Sequence, residues 1–184
     1  PLAARFAGIR LIGVDSSPAM LAQAEATGQY AALEKADIAQ WAPDAPTALI
    51  FANAALNWLP DHPALIARLA HCLVPGGILA VQAPRQSARP SHALWREVSA
   101  ELFPGVFEWS DWVPEIHEPE AYARILTPLG HPEIWETEYY QRLAPSNEGH
   151  PVWLFSRATY GRRMLGALAP SDQDKLEAAY QERV

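Results

Sequence analysis

Ile9-Arg10-Leu11-Ile12-Gly13-Val14-Asp15-Ser16-Ser17-Pro18-Ala19-Met20-Leu21 is the stretch whose reading decides the fold. Ile9, Leu11, Ile12 and Val14 form a short apolar run rich in β-branched residues, which suits a strand covered on both faces. Ser17 can cap a following helix with its hydroxyl, and Pro18 fits the first helical position, where its missing N–H costs nothing. Asp15 then stands at the carboxyl end of a parallel strand. Open α/β sheets bind ligands at that edge. A carboxylate there can accept hydrogen bonds from the two hydroxyls of a ribose, or it can be an ordinary turn aspartate.

Outward from this stretch, helix and strand signals alternate. Pro18 to about Thr27 reads as a helix with Met20, Leu21 and Ala24 on an apolar stripe, stopped by Gly28. Strands are expected near Ala31–Lys35 and Ala48–Asn53, and a third at Ile78–Gln82 after the break Val74-Pro75-Gly76-Gly77. Residues 54–60 read as a turn with short helical character. Asp61 caps a helix to about Leu73, with Leu65, Ile66, Leu69 and Cys72 inward. The order is that of α/β units around a parallel sheet.

The later half changes character. Helices are expected at Pro90–Leu102, Pro119–Leu129, Pro151–Leu168 and, capped by Ser171, Asp172–Val184. An aromatic loop spans Phe103–Pro114. Pro132–Leu143 alternates Ile134, Glu136 and Glu138 against Trp135, Thr137 and Tyr139, which predicts a strand with one polar face.

With 184 residues the chain suits one domain. Its net charge of -7 argues against a nucleic-acid surface and weakly against an anionic membrane. No run is long enough to span a membrane. The single cysteine, Cys72, makes no intrachain disulfide and no structural zinc site alone, so a reducing cytoplasm is expected. No metal site and a monomer are expected as well. The chain opens on Pro1 inside an apparent helix, Leu2–Phe6, closed by Gly8. We therefore expect an internal piece of a longer protein.

Three expected strand ends share one rim: Asp15, Ala36-Asp37-Ile38 and Asn53. Asp37 can accept a hydrogen bond from an exocyclic amine such as that of adenine. The Ile38 N–H can meet a ring nitrogen, and Ile38 with Trp41 can sandwich the base. Asp37 could equally be a plain turn residue and Trp41 a core residue. Together the set points to a nucleoside.

These residues carry a resemblance. Val14-Asp15-Ser16-Ser17-Pro18-Ala19-Met20, Ala36-Asp37-Ile38, Phe51-Ala52-Asn53-Ala54 and Val74-Pro75-Gly76-Gly77-Ile78-Leu79 are similar to motifs of class I S-adenosylmethionine-dependent methyltransferases. Asp37-Ile38-Ala39-Gln40-Trp41, Ala55-Leu56-Asn57-Trp58-Leu59-Pro60-Asp61-His62 and Ile134-Trp135-Glu136-Thr137-Glu138-Tyr139-Tyr140 resemble the trans-aconitate 2-methyltransferase family within it. The resemblance implies a Rossmann-like doubly wound α/β sheet with added helices forming a substrate lid. Residues 1–84 would be its S-adenosylmethionine-binding part, and residues 85–184 the lid helices and remaining strand of the same domain.

It also implies a reaction, methyl transfer from S-adenosylmethionine to a carboxylate of a small anionic substrate such as trans-aconitate. Asp15 would bind the ribose, Asp37 and Ile38 the adenine, and Asn53 the methionine portion through its backbone, with Ser16, Met20 and Ala54 also in the cofactor site. The substrate donors would come from Arg85, His117, Tyr139, Tyr140 and Arg157, with Trp58 as a pocket wall. Tyr139 and Tyr140 lie on opposite faces of a strand, so at most one points to the site easily. No catalytic acid or base is expected, because a carboxylate is already ionised at neutral pH. A malonyl-carrier or other small-molecule methyltransferase, and a non-catalytic fragment, are the alternatives.

The family's glycine-rich loop and first strand do not precede Ile9, and its last strand does not follow Val184. The sheet is therefore expected to be incomplete, with two central strands short of a ladder partner. The chain alone is expected to be poorly active.

Overall fold

The computed structural model describes residues 2–108 and 116–184. Part of the expected aromatic loop, with Trp109 and Trp112, lies outside the described residues. Two compact units divide the chain: residues 1–51 with 61–80, and residues 52–60 with 81–184. The division differs from the expected one at 84/85 in placing residues 52–60 and 81–84 with the later residues.

In the first unit, the short helix α1 (Leu2–Arg5) leads through Gly8 to strand β1 (Ile12–Asp15). Helix α2 (Pro18–Ala26) starts as the sequence predicts: the Met20 N–H donates to the Ser17 hydroxyl, Pro18 opens the helix, and Gly28 takes φ +62° just after it. Its apolar stripe is not buried, since Met20 is half exposed and no residue of α2 is buried. Strand β2 (Ala32–Lys35) pairs in parallel with β1, Ile12 opposite Ala32 and Asp15 opposite Lys35.

Strands β3 (Thr47–Asn53) and β4 (Leu73–Gln82) form a second pair and run from the first unit into the second. Between them, helix α3 (His62–His71) is capped by Asp61, whose carboxylate accepts from the Ala64 N–H. It buries His62, Leu65, Ile66 and Leu69, the inner face that the spacing predicts apart from half-buried Cys72. The Thr47 N–H donates to the Cys72 carbonyl and the Ala54 N–H to the Gln82 carbonyl, so partner numbers rise together, as in a parallel pair. The turn at Pro75-Gly76-Gly77, with Gly76 at φ +77°, takes up the extra length of β4. Among the described residues no ladder joins β1 to β3. The sheet is thus an incomplete class I Rossmann-like one, in two separate parallel pairs.

The second unit is helical. Helix α4 (Pro90–Leu102) packs on α6 (Pro151–Arg157) and α8 (Pro170–Arg183). Trp95 stacks on Trp153 with ring centroids 4.5 Å apart, and Tyr180 leans on both. The Trp95 indole N–H donates to the Ser156 hydroxyl and the Tyr180 hydroxyl to the Ser91 carbonyl, so two large aromatic residues are buried with their polar ends satisfied. Between α4 and α6 in sequence, α5 (Pro119–Leu126) continues as a 3-10 turn to Leu129.

Three expectations need correction here. The helix predicted over 151–168 is broken after Arg157 and resumes as α7 (Gly161–Gly166). Gly161 begins α7 hard against the Trp95 ring, where a Cβ would overlap, and glycine costs about 1 kcal/mol inside a helix. Ser171 does not cap α8: Pro170 takes the first position and Ala169 precedes it with no side-chain cap. The strand predicted over 132–143 does not form, and no strand or bridge is assigned to residues 131–146. A strand needs a ladder partner, and this segment has none among the described strands.

Candidate functional site

The first unit gathers Asp15, Ser16, Asp37 and Ile38 at the carboxyl end of the β1–β2 pair, because parallel pairing in register ends both strands on the same rim. Asp15 is half-buried, and its Oδ1 accepts from the Ser17 N–H at 2.7 Å. Asp37 does the same for Ala39 at 2.9 Å. The turn role and an acceptor role coexist, because each carboxylate keeps a second oxygen with no partner among the described residues.

The Ala36–Trp41 turn is pinned from α3. The Arg68 guanidinium donates to the Ile38 and Trp41 carbonyls, and the Trp41 indole N–H donates to Glu34 at 2.8 Å. These bonds leave the Ile38 N–H without a partner among the described residues, while Met20 stands exposed in the first turn of α2. A hydroxylated, amine-bearing ring system fits this rim: it supplies the donors for both carboxylates and an acceptor for the Ile38 N–H.

The second unit holds a cavity of about 300 Å³. Trp58, Pro84, Ile116, Phe155 and Met164 form its apolar wall, and Asn57, Gln86, Ser87, His92, Tyr160 and Arg163 its polar side. Among the described residues no carboxylate lines it, in a chain with 21 acidic and 14 basic residues. Ala54 also lines it, at φ +51°, a conformation that costs a non-glycine residue about 1 kcal/mol and that recurs at functional sites. Asn53 ends β3 just before it. The Asn57 Oδ1 is buried without a partner among the described residues, an acceptor that a cationic amine would satisfy.

His92 is buried at the start of α4, with Nδ1 3.1 Å from the Ser91 hydroxyl and its ring edge-on to Tyr160 at 4.5 Å. Burial, with the charge of Arg96, pushes its pKa down to about 4, so it is neutral at pH 7.

Of the expected substrate residues, only Trp58 lines this cavity. Arg85 is ion-paired at 2.8 Å with both Glu118 and Glu136. The Glu136 hydrogen bond, with the Glu118 charge behind it, holds the Arg85 proton above the ordinary arginine value. Arg89 pairs with Glu138 at 2.8 Å, and Tyr140 donates to the same glutamate at 3.0 Å, which raises the tyrosine pKa. Tyr139 and Tyr140 are largely exposed. The His117 N–H donates to the Tyr122 hydroxyl at 3.4 Å, with the two rings 5.7 Å apart. Arg157 ends α6.

His92, Tyr160 and Arg163 escaped the reading of the sequence. The spacing of Tyr160, Arg163 and Met164 on one helical face was the available signal, but it does not distinguish a cavity from a core.

Parallel β/α units with an acidic pair on the carboxyl rim are the architecture of a Rossmann-like nucleotide-binding domain. The family described as "Methyltransferase domain" matches residues 1–81. Three relatives named trans-aconitate 2-methyltransferase match nearly the whole chain. That of Methylobacterium radiotolerans is 38% identical over 187 residues, covering 97% of this chain and 70% of the relative. The Acidovorax ebreus relative is 37% identical, covering 98% and 70%. One from Escherichia coli is 39% identical, covering 97% and 68%. The chain belongs to the trans-aconitate 2-methyltransferase family of S-adenosylmethionine-dependent enzymes.

Proposed function

We propose that this protein transfers the methyl group of S-adenosylmethionine to one carboxylate of trans-aconitate or a similar small polycarboxylate, giving a monomethyl ester. The observation that carries this reading is the cavity of the second unit, whose lining among the described residues includes an arginine and no carboxylate, in a chain of net charge -7. The residues of the first unit fit the nucleoside end: Asp15 with Ser16 the ribose, Asp37 and Ile38 the adenine, with Met20 beside them. Asn53 and Ala54 would hold the methionine portion by their backbone, and Asn57 would accept from its ammonium. When bound, S-adenosylmethionine would supply an electrophilic sulfonium methyl, whose C–S bond would break as the C–O bond of the ester formed, with no proton to remove from an ionised carboxylate.

The protein's own contribution is then alignment. The nucleophile is ionised at neutral pH without help, and fixing it in line can supply roughly 7–11 kcal/mol of the barrier. Residues 1–84 take the cofactor-binding role in this reading and residues 85–184 the substrate role, with Trp58 as a wall of the cavity; Arg85, His117, Tyr139 and Tyr140, expected on the substrate side, lie outside its lining. A small anion as the only partner, a monomer and a cytoplasmic place belong to the same reading.

The test is incubation with methyl-labelled cofactor and either trans-aconitate or a malonyl-loaded acyl carrier. Label in a base-labile trans-aconitate ester is expected. Label only on the carrier, or on neither, sinks the proposal. Turnover is expected to be slow, since β1 and β3 are not laddered to each other. A calorimetric cofactor affinity in the micromolar range would argue against that slowness.

A further inference from the structure

We propose that Arg68 of α3 is a positioning residue for the base of a nucleoside on the first unit's rim, and that it sets a preference for an amine over a carbonyl on that base. This rests on the nucleoside reading above. Both bonds of the Arg68 guanidinium go to backbone carbonyls, those of Ile38 and Trp41. A trans peptide sets its C=O and N–H antiparallel, so holding one pole aims the other. The peptide between Ile38 and Ala39 is held at both poles. Arg68 donates to its carbonyl, and its N–H donates to the Asp37 Oδ1 at 2.9 Å. A cation on the carbonyl polarises the peptide and strengthens that N–H as a donor. The Asp37 carboxylate is thereby fixed through one oxygen, with the other left for a ligand.

The bond to Trp41 acts on the preceding peptide. The Asp37 carbonyl accepts from the Gln40 N–H at 2.9 Å and the Trp41 N–H at 2.8 Å, inside the turn. The Ile38 N–H, at the other pole of that peptide, therefore points out of the turn. Arg68 holds Trp41 by its carbonyl and Glu34 holds it by its indole N–H, so the peptide resists rotation. The result is an acceptor at Asp37 beside a donor at Ile38. An adenine edge presents the complement, an exocyclic N–H next to a ring nitrogen acceptor. A purine with a carbonyl in place of the amine presents an acceptor next to a ring N–H, so both pairs meet like to like. Arg68 bonds to neither recognition group directly and acts through the two peptides.

The experiment is titration of the 184-residue chain with S-adenosylhomocysteine and with S-inosylhomocysteine, followed by amide NMR shifts. The parent is expected to prefer the amine-bearing nucleoside by about tenfold or more. Arg68→Met should narrow that preference to less than about threefold, and Arg68→Lys, which keeps the charge but not the fork, should narrow it less. Once Asp37→Ala has removed the acceptor, adding Arg68→Met should change the preference by less than about twofold, as for a residue that acts through Asp37. Circular dichroism checks folding, and if Arg68→Met does not fold, Arg68→Lys carries the comparison. A guanidinium that only tied the turn to α3 would on removal weaken both nucleosides alike. A preference that survives its loss unchanged therefore overturns the proposal, as does a parent chain that binds both nucleosides equally or neither. The labelled-methyl assay separates the two ideas. The expected preferences without methyl transfer keep Arg68 in its role and remove the methyltransferase reading, and methyl transfer with a preference indifferent to Arg68 does the reverse.

Discussion

His92 shows how a single residue couples the cavity to stability. Its ring is 5% exposed, beside Ser91, Tyr160 and the charge of Arg96. The ordinary histidine pKa near 6.5 applies to the unfolded chain, and about 4 to the folded one. Above 6.5 both states are neutral and the fold has its full stability. As pH falls from 6.5 towards 4 the unfolded state takes up a proton that the folded state refuses, so stability is lost over that window. We expect the loss to be on the order of 1–2 kcal/mol, allowing for cavity water around the ring. Urea midpoints at pH 7 and pH 4.5 measure it, and His92→Asn should flatten the difference. An unchanged slope in that variant would assign the pH dependence elsewhere. Nothing in the sequence around His92 marked it, because its burial comes from packing against residue 160.

At the scale of elements, residues 131–146 keep the alternation that the sequence shows but not the ladder that would make them a strand. Glu136 and Glu138 face Arg85 and Arg89, while Trp135 and Tyr139 stand exposed. Ion pairs, not backbone bonds, hold the segment to the residues after β4. Exposed pairs of this kind contribute about 0–1 kcal/mol each. The double variant Glu136→Gln with Glu138→Gln should therefore change global stability by less than about 1 kcal/mol, yet speed limited proteolysis within 131–146 several-fold. Equal cleavage rates would show that the pairs do not tether the segment. The elements that were legible carry their own local signals. Ser17-Pro18 and Asp61 start α2 and α3, and Gly28 follows α2, because caps act within a single turn. The break at Gly161 was not legible, since it depends on the Trp95 ring sixty-six residues away in sequence.

Across the whole molecule the two units are unequally built. In the second, Trp95, Trp153, Leu176 and Tyr180 are fully buried. In the first, β1, β2 and α2 contain no buried residue, and Ile9 and Ile78 are 61% exposed. Local opening is easiest where few apolar contacts cover the backbone hydrogen bonds. Amides of β1 and β2 should exchange with deuterium at least tenfold faster than those in the middle of α4, α6 and α8. Equal protection would mean that the chain opens only as one cooperative body. The sequence by itself determined the α/β order, the helix starts, the acidic rim of Asp15 and Asp37 and the family, because each is written in residues close together along the chain. Only the tertiary structure decided the cavity and the capture of Arg85 by Glu118 and Glu136. Those depend on which side chains meet when distant helices pack, and neither spacing nor periodicity encodes that meeting.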